Sequence, residues 1–362
     1  MLPVGIRIEK RTEVPSWVRI SVPLGSLGVA FLALTGIIAS LGLSPGQAYA
    51  IMIGGSLKPP GLNFMAIKFI PLLLCALGLV LAFRANVMNI GAEGQLLMGA
   101  MAATGLALYV MPGAPSFLLV PCMFLVGFLA GAAWAFLPGL LKAKLNVNEV
   151  VSTLMMNYIA IYIVDYLVYG PWRGPQNRPP TREIPPQAQL PVFPGTSIHY
   201  PTLLLALISA FLVYVLMMRT KLGYEIRVVG SNPEAARYAG ISTAKVMVIT
   251  MMLSGGFAGL AGVGEVAGNL HRLHEAKATS AGLGYTAIIV AWLSRLSPLG
   301  TILSALFMGF MLTCTLFSLR FLGPEITYGL TNVFNGLILV CMITGEVFLR
   351  YRIRFVWGRG RT

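Results

Sequence analysis

Charge is scarce in this sequence: 10% of its 362 residues are Asp, Glu, Lys or Arg, where soluble globular domains carry roughly 25%. That scarcity excludes an ordinary water-soluble domain. Acid is scarcer than base, with 12 Asp and Glu against 26 Lys and Arg and a net charge of +14. The basic residues are scattered through short connections and form no patch interleaved with aromatics, which excludes a nucleic-acid surface. Cys75, Cys122, Cys314 and Cys341 each sit in an apolar block with no C-x-x-C spacing. They indicate no disulfide framework and read as small buried hydrophobes. Also lacking is the G-x-x-x-x-G-K-[ST] loop that cradles nucleotide phosphates. The chain is therefore expected to be no enzyme and to bind no cofactor or metal itself, so that energy comes from a partner or an ion gradient.

What is abundant is apolar sequence, at 57% of the chain with a mean hydropathy of +0.79. It comes in blocks of the length that crosses about 30 Å of hydrocarbon as helix. Ten candidate spans follow, at 20–43, 67–83, 95–111, 117–138, 150–170, 200–218, 246–268, 284–294, 299–319 and 329–349. The eighth, framed by Gly282, Gly284 and Pro298, is too short for a regular crossing, so it is expected to be tilted, extended or discontinuous. The expected fold is an all-α polytopic membrane protein of about ten transmembrane helices: a tail at 1–19, one transmembrane domain at 20–349 and a tail at 350–362.

Counting Lys and Arg on alternate sides gives 18 against 8. Since cytoplasmic loops carry the excess, both termini are expected in the cytoplasm. Ala48-Tyr49-Ala50 after the first block resembles a signal-peptidase site, but the block of 24 apolar residues exceeds the usual 7–15 residue core of a cleaved signal. Cleavage is not expected.

Two connections are long. The outer segment 171–199 carries eight prolines and should either pack against helix ends or remain polyproline-like coil. The cytoplasmic segment 219–245 contains a short helix written in local signals: Asn232 as N-cap, Pro233 at N1, Glu234 at the positive end of the dipole, Ala235 and Ala236 as helix formers, Gly240 as terminator. Two turns of helix cannot persist alone in water. This one needs a surface to dock into.

At this loop the chain resembles the permeases of bacterial ABC importers for branched-chain amino acids, simple sugars and nucleosides, most specifically the nucleoside (simple sugar) branch. The segments that carry the resemblance are 89–95 (NIGAEGQ), 146–158 (NVNEVVSTLMMNY), the loop 230–241, and 282–288 (GLGYTAI). The resemblance implies a type II importer-like fold of two inverted repeats in the bacterial cytoplasmic membrane. Its implied partners are a second permease, identical or not, two ABC ATPase subunits that bind ATP and Mg²⁺, and an extracytoplasmic substrate-binding protein. It also implies that Asn232, Pro233, Glu234, Ala235, Ala236, Arg237, Tyr238 and Ala239 form the coupling helix that enters a cleft of the ATPase.

Ionisable groups inside a bilayer are costly and are functional candidates. Here they are Glu93, Asp165, Glu265 and Glu346, the last of which reads as a headgroup-level i,i+4 pair with Arg350. Asn89 and Glu93 stand i,i+4 with Gln95 close by, and glycines punctuate the start of that span as they do the eighth, from the opposite side. Such paired interruptions are the pattern of half-helices facing a central path. The competing reading is that the glycines only allow close packing, as Gly127-x-x-x-Gly131 and Gly255-x-x-x-Gly259 should. Asn157, Tyr158 and Tyr162 of the fifth span, with Asn332 and Asn335 of the tenth, complete the candidate path: tyrosine rings to stack a planar base, amides to meet sugar hydroxyls. The outermost tyrosines also fit an interfacial aromatic belt. His271-x-x-His274 with Glu275 lacks further ligands at metal spacing and reads as solvated polar residues. A secondary transporter using Glu93 or Asp165 as an ion relay, and a non-transporting scaffold, are the rival functions.

Overall fold

The computed structural model describes residues 4–10, 15–40, 42, 44–175, 178–322, 333, 336–337, 340–341, 344–345 and 351–357. Hydrocarbon offers backbone amides no partner, so each apolar block bonds to itself and becomes helix. Every expected span from 20–43 to 299–319 overlaps one. The chain falls into two units, one formed by Met1–Gly55 with Cys314–Thr362 and the other by Ser56–Thr313.

The smaller unit contains β1 (Val4–Lys10), α1 (Ser16–Ser40), α2 (Pro45–Ser56) and β2 (Tyr351–Trp357). The strands pair antiparallel, with Val4 opposite Trp357 and Lys10 opposite Tyr351. This ladder departs from the expected all-α chain. Alternating apolar and charged residues in both tails give a two-residue period that suits strand better than helix. Ala48-Tyr49-Ala50 lies within α2, where the Tyr49 hydroxyl donates to the Phe31 carbonyl at 3.0 Å. The helix α2 itself was not expected.

The larger unit runs through α3 (Pro59–Arg84), α4 (Ala92–Gly105), α5 (Ser116–Leu145), α6 (Glu149–Tyr169), α7 (Tyr200–Arg219), α8 (Lys221–Ser231), α9 (Pro233–Tyr238), α10 (Thr243–Gly264), α11 (Ala276–Ser280), α12 (Leu283–Leu293) and into α13 (Gly300–Leu322). Wider π-helical turns extend α4 over Leu106–Val110 and α10 over Glu265–Leu270. Among the described residues 5 helices are long and apolar enough to cross a membrane, or 6 if the pair Gly28–Ser40 and Pro45–Ser56, bent by 118°, is one broken span. The tenth expected span, 329–349, lies outside the described residues but for seven scattered positions.

The layering follows from which helices are apolar all round. Within its most apolar window α3 is 78% buried and α10 67%, against 22% for α6 and 28% for α5. So α3 and α10 form the centre, while α5 and α6 keep one face outward. Glycine lets α5 approach the central α10 closely, as the sequence pattern anticipates: a methyl on Gly131 would lie 2.2 Å from the Gly255 carbonyl, and one on Gly259 2.1 Å from the Gly127 carbonyl. Without a hydrophobic force between helices in lipid, such backbone contact holds them together.

The proline-rich segment 171–199 is ordered by packing. Thr181, Ile184 and Leu190 donate backbone N–H to the carbonyls of Leu273 (3.0 Å), His271 (2.8 Å) and Ala267 (2.9 Å). Ile184, Ala188 and Leu190 are buried in one apolar cluster with Leu119, Met123 and Val266.

Candidate functional site

After α3 ends at Arg84, the chain turns back into the protein through a mostly buried segment, 85–91. Buried backbone must find partners, and α6 supplies them. Ile90 N–H donates to Thr153 Oγ1 (3.2 Å), Asn157 Nδ2 donates to the Ile90 carbonyl (2.9 Å), and Gly94 N–H donates to Asn157 Oδ1 (2.8 Å). Asn89 is held the same way. Its Oδ1 accepts from Gly91 N–H (2.8 Å) and Gln95 Nε2 (3.1 Å), while its Nδ2 donates to Gln95 Oε1 (3.0 Å) and to Ser254 Oγ of α10 (2.9 Å). Asn89 lies before α4, which begins at Ala92, so its partner is Gln95 rather than the i,i+4 neighbour Glu93.

The second half of the site enters from the opposite end. His271 and Ala281, at φ +55° and +47°, and Gly282, at φ +73°, turn the chain inward after α10. Asp165 Oδ1 accepts the Ala276 N–H at 2.8 Å. The expected eighth span, 284–294, is a single unbroken helix, α12 of 11 residues, preceded by α11 and a left-handed turn. Glu93 receives the start of α12, its Oε1 accepting from Gly282 N–H (3.1 Å) and its Oε2 from Gly284 N–H (2.8 Å). A methyl on Gly284 would lie 2.3 Å from the Glu93 nitrogen, so only glycine admits this approach.

Glu93 therefore sits in the first turn of α4 and against the first turn of α12, within the positive ends of two helix dipoles. From this meeting point the helices diverge. The far end of α4 packs Tyr109 against Trp172, ring centroids 5.2 Å apart; beyond α12, the Leu296 carbonyl accepts from Arg84 Nε at 3.0 Å. Asn157 Nδ2 also donates to the Tyr285 hydroxyl at 3.2 Å, tying α6 to α12.

Of the sequence-derived path residues, the structure brings Asn89, Glu93, Gln95 and Asn157 into one buried network. Tyr158 and Tyr162 lie instead on the outward face of α6, 50% and 71% exposed. Asn332 and Asn335 lie outside the described residues. Thr153, Ser254 and Tyr285 join the network unforeseen; Thr153 stands one turn before Asn157, a spacing that could have found it. Asp165 and Glu265 accept from Ala276 N–H and from Asn269 Nδ2 (2.9 Å) respectively. His271 closes the π-turn and gives its carbonyl to Ile184, and His274 gives its carbonyl to the Thr279 hydroxyl.

The loop helix α9 has the caps its sequence calls for. Asn232 Oδ1 accepts from the N–H groups of Glu234 (3.0 Å) and Ala235 (3.1 Å), and Gly240 adopts φ +75°. Ahead of it, Thr220 Oγ1 caps α8 by accepting Gly223 N–H at 3.1 Å. Of residues 232–239 only Ala236 is buried, and Tyr238 is 93% exposed. The helix offers nearly its whole surface.

Helices broken at a shared central point, beside an exposed capped helix on the loop between long apolar helices, define a multi-pass membrane protein of the transporter class. Residues 61–343 match the family described as the permease component of the branched-chain amino acid transport system, and the chain belongs to that family, in its nucleoside and simple-sugar branch. It is 35% identical to the glucose ABC transporter permease protein TsgB13 of Haloferax volcanii, over 98% of this chain and 95% of that one. It is 32% identical to the guanosine ABC transporter permease protein NupP of Bacillus subtilis (80% and 81% covered). The nucleoside ABC transporter permease protein NupB of Lactococcus lactis is 29% identical (93% and 92% covered). No solved structure matches the chain.

Proposed function

We propose that this chain, with residues 20–349 as one translocating domain, is the membrane-spanning half of an ATP-driven importer that admits nucleosides by alternating access. The observation that carries the reading is α9: a capped helix too short to stand alone, exposed on all but one residue, in a family of transporter permeases. Separate ATPase subunits would bind ATP and Mg²⁺ and grip Asn232–Ala239. A second permease would complete the path, and an extracytoplasmic binding protein would deliver the solute. The pairing of β1 with β2 supports a reading in which both tails lie on one side, with an even number of crossings and, from the basic excess, cytoplasmic termini in an inner membrane. The opposed starts of α4 and α12 fit two inverted repeats.

Glu93 spends both carboxylate oxygens, and Asp165 one, on backbone amides of the inward segment 276–284, which favours a positional role over an ion relay. The test is uptake by the complex in proteoliposomes. Glu234→Ala with Arg237→Ala should lower ATP-dependent uptake at least tenfold while the chain stays inserted; undiminished uptake, or uptake by the lone chain under a pH gradient, would sink the proposal. A hexose is the second reading, favoured by the 35% identity to a glucose permease. Labelled guanosine and glucose offered to the same vesicles distinguish the two.

A further inference from the structure

Where α5 ends and α10 begins, an apolar groove of about 280 Å³ opens on the molecular surface, walled by Leu140, Ala143, Val248 and Ile249. Lys144 of α5 and Lys245 of α10 complete its lining. Both are exposed, and neither ammonium has an ion-pair partner among the described residues, whereas the neighbouring Lys142 is engaged with Glu149 at 3.0 Å. The lysines occupy the ends of two packed apolar helices, where long side chains can lay their stems along apolar surface and carry the charge to the headgroups.

We propose that this groove is a seat for an anionic phospholipid, its phosphate between Lys144 and Lys245 and one acyl chain along Leu140, Val248 and Ile249. An apolar groove facing a bilayer is filled by lipid tails; the two unpaired cations select which lipid. Basic pockets between helices on the cytoplasmic side recognise anionic headgroups in this way. The seat abuts the functional loop, because α10 starts at Thr243, five residues beyond the end of α9 at Tyr238, and Ser242 Oγ caps it by accepting the Lys245 N–H at 3.4 Å. A lipid there braces the helix that follows the ATPase contact. Assignment to the inner leaflet rests on the orientation proposed above; the seat itself rests only on the groove and its lysines.

The full-length chain, titrated with phosphatidylglycerol or phosphatidylcholine, reports bound lipid by native mass spectrometry without ATPase or solute, so the result is independent of uptake. Phosphatidylglycerol should be retained over phosphatidylcholine. Lys144→Gln with Lys245→Gln should reduce that preference roughly thirtyfold. Val248→Trp should displace the lipid with both lysines in place, and Lys221→Gln, another exposed cation, should change nothing. Equal retention of the two lipids, or undiminished phosphatidylglycerol binding in the double lysine variant, would overturn the proposal. Phosphatidylglycerol bound as well by Val248→Trp would overturn the acyl-chain seat, and the lysine variant, altered only at exposed positions, decides the matter should the tryptophan variant misfold.

Discussion

Lipid tolerates Glu93 because two amides at the start of another helix take up its oxygens. Truncation would leave the Gly284 N–H buried and unpaired, at about 1–3 kcal/mol, and the half-buried Gly282 N–H without its partner. Glu93→Ala is therefore expected to lower the melting temperature of the purified chain clearly more than Glu93→Gln, which keeps one acceptor oxygen; equal melting temperatures would show that the bonds contribute nothing. A second prediction concerns His199, whose imidazole is buried at the base of the proline-rich loop with neither nitrogen hydrogen-bonded among the described residues. Burial, and after it the nearby His271, push its pKa down to about 4. In the unfolded loop the ring titrates near 6.5. Between about 6.5 and 4 the unfolded form thus binds more protons than the folded one, and stability falls as pH falls through that window. Hydrogen exchange of residues 181–199, corrected for intrinsic rate, should accelerate on going from about pH 7 to about pH 5, and His199→Gln should flatten the trend.

At the scale of elements, α9 was legible in full, since its signals are local: cap, proline, dipole charge and terminator lie within nine residues and need no tertiary partner. Asn232→Ala removes an acceptor shared by two N–H groups and should cost the helix about 1 kcal/mol. Its expected signature is ATP hydrolysis retained with uptake reduced severalfold, measured side by side in proteoliposomes. The crossing of α5 and α10 was legible for a similar reason, because small residues four apart mark a close approach. Gly131→Leu would drive a side chain into the Gly255 carbonyl. The chain should then be degraded or fail to resist limited proteolysis, whereas Gly28→Leu, at a position open on all sides in the smaller unit, should be tolerated. The start of α4 was only half legible: the sequence grouped Asn89, Glu93 and Gln95 but brought neither Asn157 nor the start of α12 to them, since 63 and more residues separate those bonded groups.

For the whole molecule, the antiparallel register of the tails places Ile6 opposite Phe355. Ile6→Cys combined with Phe355→Cys should form an intramolecular disulfide under mild oxidation, and either substitution alone should not; failure of the pair to cross-link would remove the ladder's support for both termini lying on one side. Hydropathy and basic residues fixed the membrane character, most helix positions and the expected orientation, because the bilayer acts on each segment by its own composition. The single local motif of α9 pointed to a docking partner. What only tertiary structure decided was that two short helices meet start to start at Glu93, that the tyrosines of α6 face outward, and that the proline-rich loop is pinned to the end of α10. Each depends on which distant segment satisfies a buried polar group, and in a medium without water that choice is made by packing, not by the neighbouring residues in the chain.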